Sequence, residues 1–344
     1  MIQNEITKLV QLLDSKGNIL EPGYAKKALF NYNRNDIKAN GFRIKEWDYY
    51  CVLNEHFGIA LTVADNSYMG LDSITLFDFD QKTEITQSFM QWLTFGKKNL
   101  PSTSTQKEVY VSNKTHQIRF YLDHDNRILE FNVSNFKENT PLSGKIILSQ
   151  IPSESMVIAT PFDKEKHFYY NQKINCMRAE GIIMFGSMKF VFEPSNSFGV
   201  LDWGRGVWTY ANTWYWGSAS GLIDNKTFGF NIGFGFGNTS AATENMLFYD
   251  GKAHKLSQVE FKIPKKADGT ENYLSPWKFI SDDGRFEMDF IPLLDRSSNT
   301  KVLVLESKQH QVFGHFTGYV ILDDGTKLIV NKLIGFAEKV MNRW

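Results

Sequence analysis

The sequence predicts an all-β chain built round two hydrophobic cores. Three observations carry that expectation. The chain has 344 residues, and one core stops growing efficiently near roughly 250–300 residues, so two are expected. Aromatic residues make up 15% of it, and strands favour aromatic and β-branched side chains. Apolar residues also recur with a period of two in short runs separated by turn residues, the cue for a sandwich or barrel of antiparallel strands.

Residues 4–14 space Ile6, Leu9, Val10, Leu12 and Leu13 like a short amphipathic helix. Strand signals follow. Trp47–Val63 holds two apolar runs split by Asn54, Glu55 and His56, and Leu71–Phe79 and Gln117–Leu122 alternate cleanly. Asp125 and Asn126 make a turn before Ile128–Val133. Between Thr160 and Lys173 the alternation weakens, and Pro161, Asp163 and Lys164 read as a connection. From Met177 the glycine content rises, so the boundary is expected near residue 170, giving domains 1–170 and 171–344. At the far end Gln311–Leu322 runs through Asp323, Asp324 and Gly325 into Thr326–Leu333. Asp-Gly supplies the positive φ angles of a hairpin turn. The last residues, 334–344, read as a short closing helix.

Composition excludes several functions. Lys+Arg 38 is balanced by Asp+Glu 38, so the basic footprint of a nucleic-acid binder is missing, and so is a polybasic membrane tether. No apolar stretch reaches the roughly 18 residues of an integral membrane segment, and the opening residues lack the features of a signal peptide. The chain is therefore expected to be cytoplasmic. Cys51 and Cys176 lie far apart without metal-ligand spacing, and no HxH or HExxH pattern occurs, so no metal is expected. His254 and His315 are isolated. Gly233, Gly235 and Gly237 do not fit GxGxxG, and there is neither a phosphate-binding loop nor a GxSxG elbow, so no nucleotide cofactor is expected. Nothing in the sequence sets the oligomeric state.

Residues 198–256 carry the candidate chemistry. In extended conformation Asp202, Gly204, Gly206, Trp208 and Tyr210 share one face, and Trp203, Arg205 and Val207 take the other. Trp214, Trp216, Ser218 and Ser220 lie together in the next run. In the third, Phe228, Phe230, Ile232, Phe234 and Phe236 oppose Gly229, Asn231, Gly233, Gly235 and Gly237. Glycines weaken a strand interior unless something approaches closely. Either the indoles of Trp214 and Trp216 cover the bare side, or a ligand does, with Asn231 as its polar contact. Asp202 and Arg205 are the sharpest polar pair and admit three readings. They tie a turn as a buried ion pair; or Asp202 is a general acid with Arg205 pointing away; or Arg205 forks a substrate carboxylate. Glu244 is a second candidate acid or base, set against the plain reading of a solvated loop carboxylate.

The segments LDWGRGVWTY (201–210), WYWGSASG (214–221), GFNIGFGFG (229–237), TEN (243–245) and YDGKAHKL (249–256) strongly resemble a bacterial family known as domain of unknown function 2804. The likeness extends to PWKF (276–279), FIPLLDR (290–296), GFAEKVMNRW (335–344) and an AD-x-x-Y-x-G pattern at Ala64–Gly70. Thr209 stands where proline is common and Tyr215 where a polar residue is common. More distantly the chain resembles carotenoid hydratases, tocopherol cyclases and lipocalin-like pericyclases. That resemblance implies two tandem lipocalin-like (calycin-type) antiparallel β-barrels with short terminal helices, the second barrel carrying the DWGRGVW motif. It carries over no catalytic residue, since fold does not fix function.

Three functions fit. The first is a cofactor-independent hydratase, cyclase or isomerase acting on a hydrophobic, lipid- or isoprenoid-like small molecule. In it Asp202 is the proton donor, Trp203, Trp208, Trp214 and Trp216 with Tyr210 form the wall, and Asn231 and Arg205 hold a polar end. The second is a carrier of such a ligand, with the same cavity and no acid. The third is carbohydrate binding, which needs a shallow groove and, for hydrolysis, paired acids about 5–10 Å apart. The sequence leaves open whether the chain is an enzyme.

Overall fold

The computed structural model describes residues 3–105, 108–302 and 305–343. In chain order its strands are β1 (Val10–Gln11), β2 (Gly23–Ala25), β3 (Phe30–Asn31), β4 (Ile44–Leu53), β5 (Phe57–Asp65), β6 (Met69–Asp78), β7 (Thr83–Trp92), β8 (Val109–Ser112), β9 (His116–Asp123), β10 (Asn126–Lys137), β11 (Thr140–Ser149) and β12 (Met156–Pro161). They continue as β13 (Phe168–Phe185), β14 (Met188–Phe192), β15 (Phe198–Val207), β16 (Ala211–Ile223), β17 (Lys226–Phe234), β18 (Met246–Tyr249), β19 (Lys252–Lys255), β20 (Val259–Lys262), β21 (Trp277–Ser281), β22 (Phe286–Val302), β23 (Leu305–Ile321) and β24 (Lys327–Arg343).

Two curled antiparallel sheets account for nearly all of them, as two tandem lipocalin-like barrels require. The first runs β7-β6-β5-β4-β15-β13-β11-β10-β9-β8, and the second β19-β18-β17-β16-β24-β23-β22-β21-β20. Period-two alternation gives each sheet a concave apolar face. Val52, Leu61, Ile118, Leu148 and Trp203 belong to the first core, and Phe230, Trp277, Phe286 and Phe316 to the second. The convex faces are apolar as well where the sheets meet: Tyr49, Cys51 and Val200 of the first pack with Trp216, Phe313 and Phe336 of the second.

Two expectations are corrected. The terminal helices do not form; among the described residues the only helical elements are 3-10 turns at Arg34–Asp36 and Gly41–Arg43. Near the N-terminus Ile6 is hydrogen-bonded to the Tyr24 carbonyl and Val10–Gln11 pairs in parallel with Phe30–Asn31, so tertiary pairing overrides a helix-like spacing. At the C-terminus residues 327–343 form a strand held on both sides, by β16 and β23. A central strand reads as an almost continuous apolar run, which periodicity alone does not separate from a buried helix. Trp344, the last residue of that expected helix, lies outside the described residues. The sheets divide between Val207 and Ala211, and residue 170 lies within β13 of the first sheet. The DWGRGV strand β15 therefore pairs with β4 and β13 of the first sheet. The glycine-rich texture begins before the first sheet is complete. The closing hairpin is as expected, with Gly325 at φ 86°. No helix among the described residues is long and apolar enough to cross a membrane.

Candidate active site

Alternation along β15 decides which of its polar residues meet. Asp202 and Arg205, three apart, fall on opposite faces. Arg205 enters the first core, fully buried. Its Nη2 donates to Asp48 Oδ1 at 2.9 Å and to the Pro101 carbonyl at 2.8 Å. Its Nε donates to the Pro101 carbonyl, and its Nη1 to the carbonyls of Trp47 and Gly204. That uses every N–H a guanidinium has and leaves none for a substrate carboxylate. Trp203 shares this interior, with its ring 4.2 Å beneath the guanidinium and edge-on to Tyr170. Arg205 and Trp203 are therefore not brought to the site, and the Asp202–Arg205 pairing is replaced by Asp48–Arg205.

Asp202 faces the second sheet and finds a different cation. The register of β13 sets Lys173 opposite Asp202, and Lys173 Nζ lies 3.0 Å from Asp202 Oδ2. Asn171 Nδ2 donates to Asp202 Oδ1 at 2.6 Å. The ammonium also sits 3.8 Å from the centre of the Trp216 ring. Trp216 Nε1 donates to Asn231 Oδ1 at 2.6 Å, and Asn231 Nδ2 donates to the Glu244 carbonyl at 2.8 Å. Across from Trp216, in register on β24, stands Glu338. It accepts from Trp214 Nε1 at 3.0 Å and from Gln311 Nε2 at 3.3 Å.

Three carboxyls thus surround one buried ammonium. Burial raises the Glu338 carboxyl from 4.5 to about 7, against the lowering pull of the Trp214 hydrogen bond and Lys173, with the Asp202 charge adding to the rise. Glu244 is raised for the same leading reason, offset by Lys173, even though part of the residue reaches solvent. Tyr169 feels Glu244, Asp202 and Glu338 together; burial and those charges hold its hydroxyl well above its usual range. Lys173 pulls on both glutamates, Lys255 on Glu244 and Arg296 on Glu338, yet burial outweighs these cations and raises both carboxyls.

Aromatic rings wall the cluster. Trp208 meets Trp47, Trp214 and Phe236 edge-on at 5.3, 5.4 and 4.8 Å. Tyr169 stacks on Trp47. Trp47 and Trp214 are partly exposed and form the outer rim, whereas Tyr210 lies out on the surface. The bare face of β17 is filled by protein. A Cβ on Gly233 would meet Glu244 Oε1 at 2.6 Å, and one on Gly229 would meet Cys176 Sγ at 2.6 Å. Phe236 leaves the phenylalanine stripe because β17 ends at Phe234 and Gly235 turns the chain at φ 87°. Beyond Gly233, at the mouth of the second barrel, a cavity of about 440 Å³ is lined by Phe234, Thr243, Asn245, Val259 and Ile280 among others. Among the described residues no group of three His, Cys, Asp or Glu side chains is arranged to hold a metal ion.

The structure thus brings together Asp202, Glu244, Trp208, Trp214, Trp216 and Asn231, which the sequence singled out, with Lys173, Asn171, Tyr169, Trp47 and Glu338, which it did not. The signal for Glu338 was a lone acid inside the apolar run IGFAEKV, visible only once that run is read as a strand.

The family model described as domain of unknown function (DUF2804) matches residues 3–344. The chain belongs to this family. No curated protein matches it at the sequence level. Among solved structures the family's fold is shared with the Nitrosomonas europaea protein NE1406, provisionally assigned as AttH. That match has a TM-score of 0.53 at 13% identity, over 91% of this chain and 96% of the other. Kievitone hydratase from Nectria haematococca matches with a TM-score of 0.50 at 10% identity, over 91% of this chain and 92% of the other.

Proposed function

We propose that this family member is a proton-transfer enzyme of the hydratase, cyclase or isomerase type, acting on a hydrophobic small molecule where the two sheets meet. The observation that carries the reading is Glu338, a buried carboxyl held near neutrality beside a wall of indoles. A general acid works best when its pKa lies near the working pH, and burial is how a carboxyl gets there.

In this reading Glu338 gives a proton to an alkene, hydroxyl or carbonyl of the substrate and takes one back at the end of the turnover. Trp214 Nε1 steadies the carboxylate formed in between. Asp202 accepts from Lys173 on one oxygen and from Asn171 on the other, so both oxygens are engaged and the acid role expected of Asp202 passes to Glu338. The Lys173–Asp202 pair supplies a fixed field. Trp47, Trp208 and Trp214 hold the greasy body of the substrate, and indole faces stabilise positive charge by about 0.5–2 kcal/mol each. Trp216 is less available for this, since Lys173 already covers its face. The likeness of the fold to a kievitone hydratase agrees with this chemistry.

The test is native mass spectrometry of the purified protein, followed by solvent extraction of whatever has travelled with it. The extracted compound and its chemical relatives are then offered to wild type, Glu338→Gln and Glu338→Asp. Turnover should fall by about 10²–10⁴-fold in the glutamine variant, recover partly in the aspartate variant, and decline as pH rises through the acid's pKa. Binding without any product in all three proteins would establish a carrier instead, a reading that the open cavity of about 440 Å³ favours.

A further inference from the structure

The AD-x-x-Y-x-G pattern at Ala64–Gly70 plays no part in the cluster above, and its Asp65, Tyr68 and Gly70, with Ser67 between them, serve the loop that follows β7. Asp65 accepts from Thr94 Oγ1 and from the Gly96 N–H, both at 2.8 Å. The Tyr68 carbonyl accepts from the Leu93 N–H, and the Ser67 carbonyl from the Phe95 N–H. A Cβ on Gly70 would strike Thr94 Cγ2 at 2.7 Å. Thr94 is drawn inward and buried, so its neighbours are turned out. Leu93 and Phe95 both take left-handed backbone, φ 57° and 44°, which is costly for bulky residues and is kept only where the surroundings impose it. The result is an apolar tip: Trp92 is 67% exposed, Leu93 54% and Phe42 51%. The rings of Phe42 and Phe95 meet edge-on at 4.8 Å while both remain exposed.

We infer that this tip docks the protein on an anionic lipid surface. The chain is neutral overall, but residues 37–45 and 91–100 hold five lysines and arginines, Lys38, Arg43, Lys45, Lys97 and Lys98, and no Asp or Glu. Lys45 is buried and Lys98 is neutralised by Asp72, which leaves Lys38 and Lys97 exposed beside the apolar tip. Tryptophan, leucine and phenylalanine flanked by basic residues match the boundary between acyl chains and negative headgroups. The tip also adjoins the aromatic rim. Arg43 Nε donates to the Trp208 carbonyl at 2.9 Å, and the Trp208 N–H donates to the Arg43 carbonyl at 3.0 Å. A hydrophobic molecule leaving the membrane at the tip would meet Trp208 and Trp47 next. The inference rests on the tip itself and holds whatever chemistry follows.

The experiment is sedimentation of the full-length protein with phosphatidylcholine vesicles, with and without phosphatidylglycerol. Wild type should partition onto the anionic vesicles at least about tenfold more strongly than a Trp92→Ser/Leu93→Ser/Phe95→Ser variant. Added salt should weaken the binding. Lys97→Glu, a surface change that leaves the apolar tip intact, should lower it several-fold. Equal partitioning by wild type and the triple variant would overturn the inference. So would absence of vesicle binding, and so would self-association in sedimentation velocity that the triple variant abolishes, which would make a second copy the occupant.

Discussion

Glu338 is the residue on which the functional reading turns, and its protonation has a thermodynamic signature independent of any substrate. Its carboxyl is raised from 4.5 to about 7 in the folded protein. Between those values the native state binds more protons than the unfolded chain, so stability is complete at low pH and falls as pH rises through that window. The loss is on the order of 3 kcal/mol at most. Glu244 adds to the same slope. Lys45 and Lys255, pushed down to about 7 by burial, act oppositely at higher pH. The Glu338 share is therefore read as a difference: Glu338→Gln should gain stability relative to wild type between about pH 5 and 8 in urea titrations. A difference that stays flat with pH would show that folding does not raise this carboxyl's pKa. Asp202→Asn tests the ion pair beside it. Removing the direct partner of the Lys173 ammonium leaves it only the more distant charges of Glu244 and Glu338, a loss of up to about 3 kcal/mol, and Lys173→Met in the Asp202→Asn background should recover part of it.

At the scale of the element, β13 joins the two sheets. Its register slips between Ile174 and Met177, and Cys176 in the slip adopts φ 63°. The bulge presses toward the second sheet: Asn175 Nδ2 donates to Ser218 Oγ and to the Phe230 carbonyl, and the Cys176 N–H donates to Ser220 Oγ. This is the compensation that the glycines of β17 called for, supplied by protein at Gly229 and Gly233. Gly229→Val should therefore destabilise the protein by about 1–3 kcal/mol through overpacking, measured as a drop in urea midpoint. A neutral effect would mean the bulge does not seat there. Such elements were legible unevenly. The period-two runs at Leu71–Phe79 and Gln117–Leu122 gave strands because one face is buried and the other is not. The middle of β24, residues 334–338, and the first half of β13 lie between neighbours on both sides and bury both faces, so their alternation was muted. That is why Glu338 was assigned to a helix and Lys173 to a connection.

Across the whole molecule, the two-barrel architecture was readable from length, aromatic content and strand spacing, and from resemblance to the family. The site was half readable. Alternation separated Asp202 from Arg205 correctly, since that needs only local geometry. Pairing Asp202 with Lys173, or Glu338 with Trp214, needs the order of strands across two sheets, which spacing within one segment does not contain. The architecture also explains why the acids sit where they do. Each sheet curls round its own core, and convex faces are removed from water where β4, β13 and β15 on one side press against β16, β17 and β24 on the other. Polar residues placed there are desolvated, and Trp47 and Trp214 at the edge are partly exposed. The central claim, a proton held between the sheets at neutral pH, is tested most directly by infrared difference spectra of the carboxyl stretch across pH, on wild type and Glu338→Gln. The account predicts a protonated-carboxyl band that persists to a midpoint of about 7 in wild type and is missing from the variant. Loss of all such bands by about pH 5, where ordinary carboxyls are ionised, or a neutral-pH band unchanged in Glu338→Gln, would contradict it.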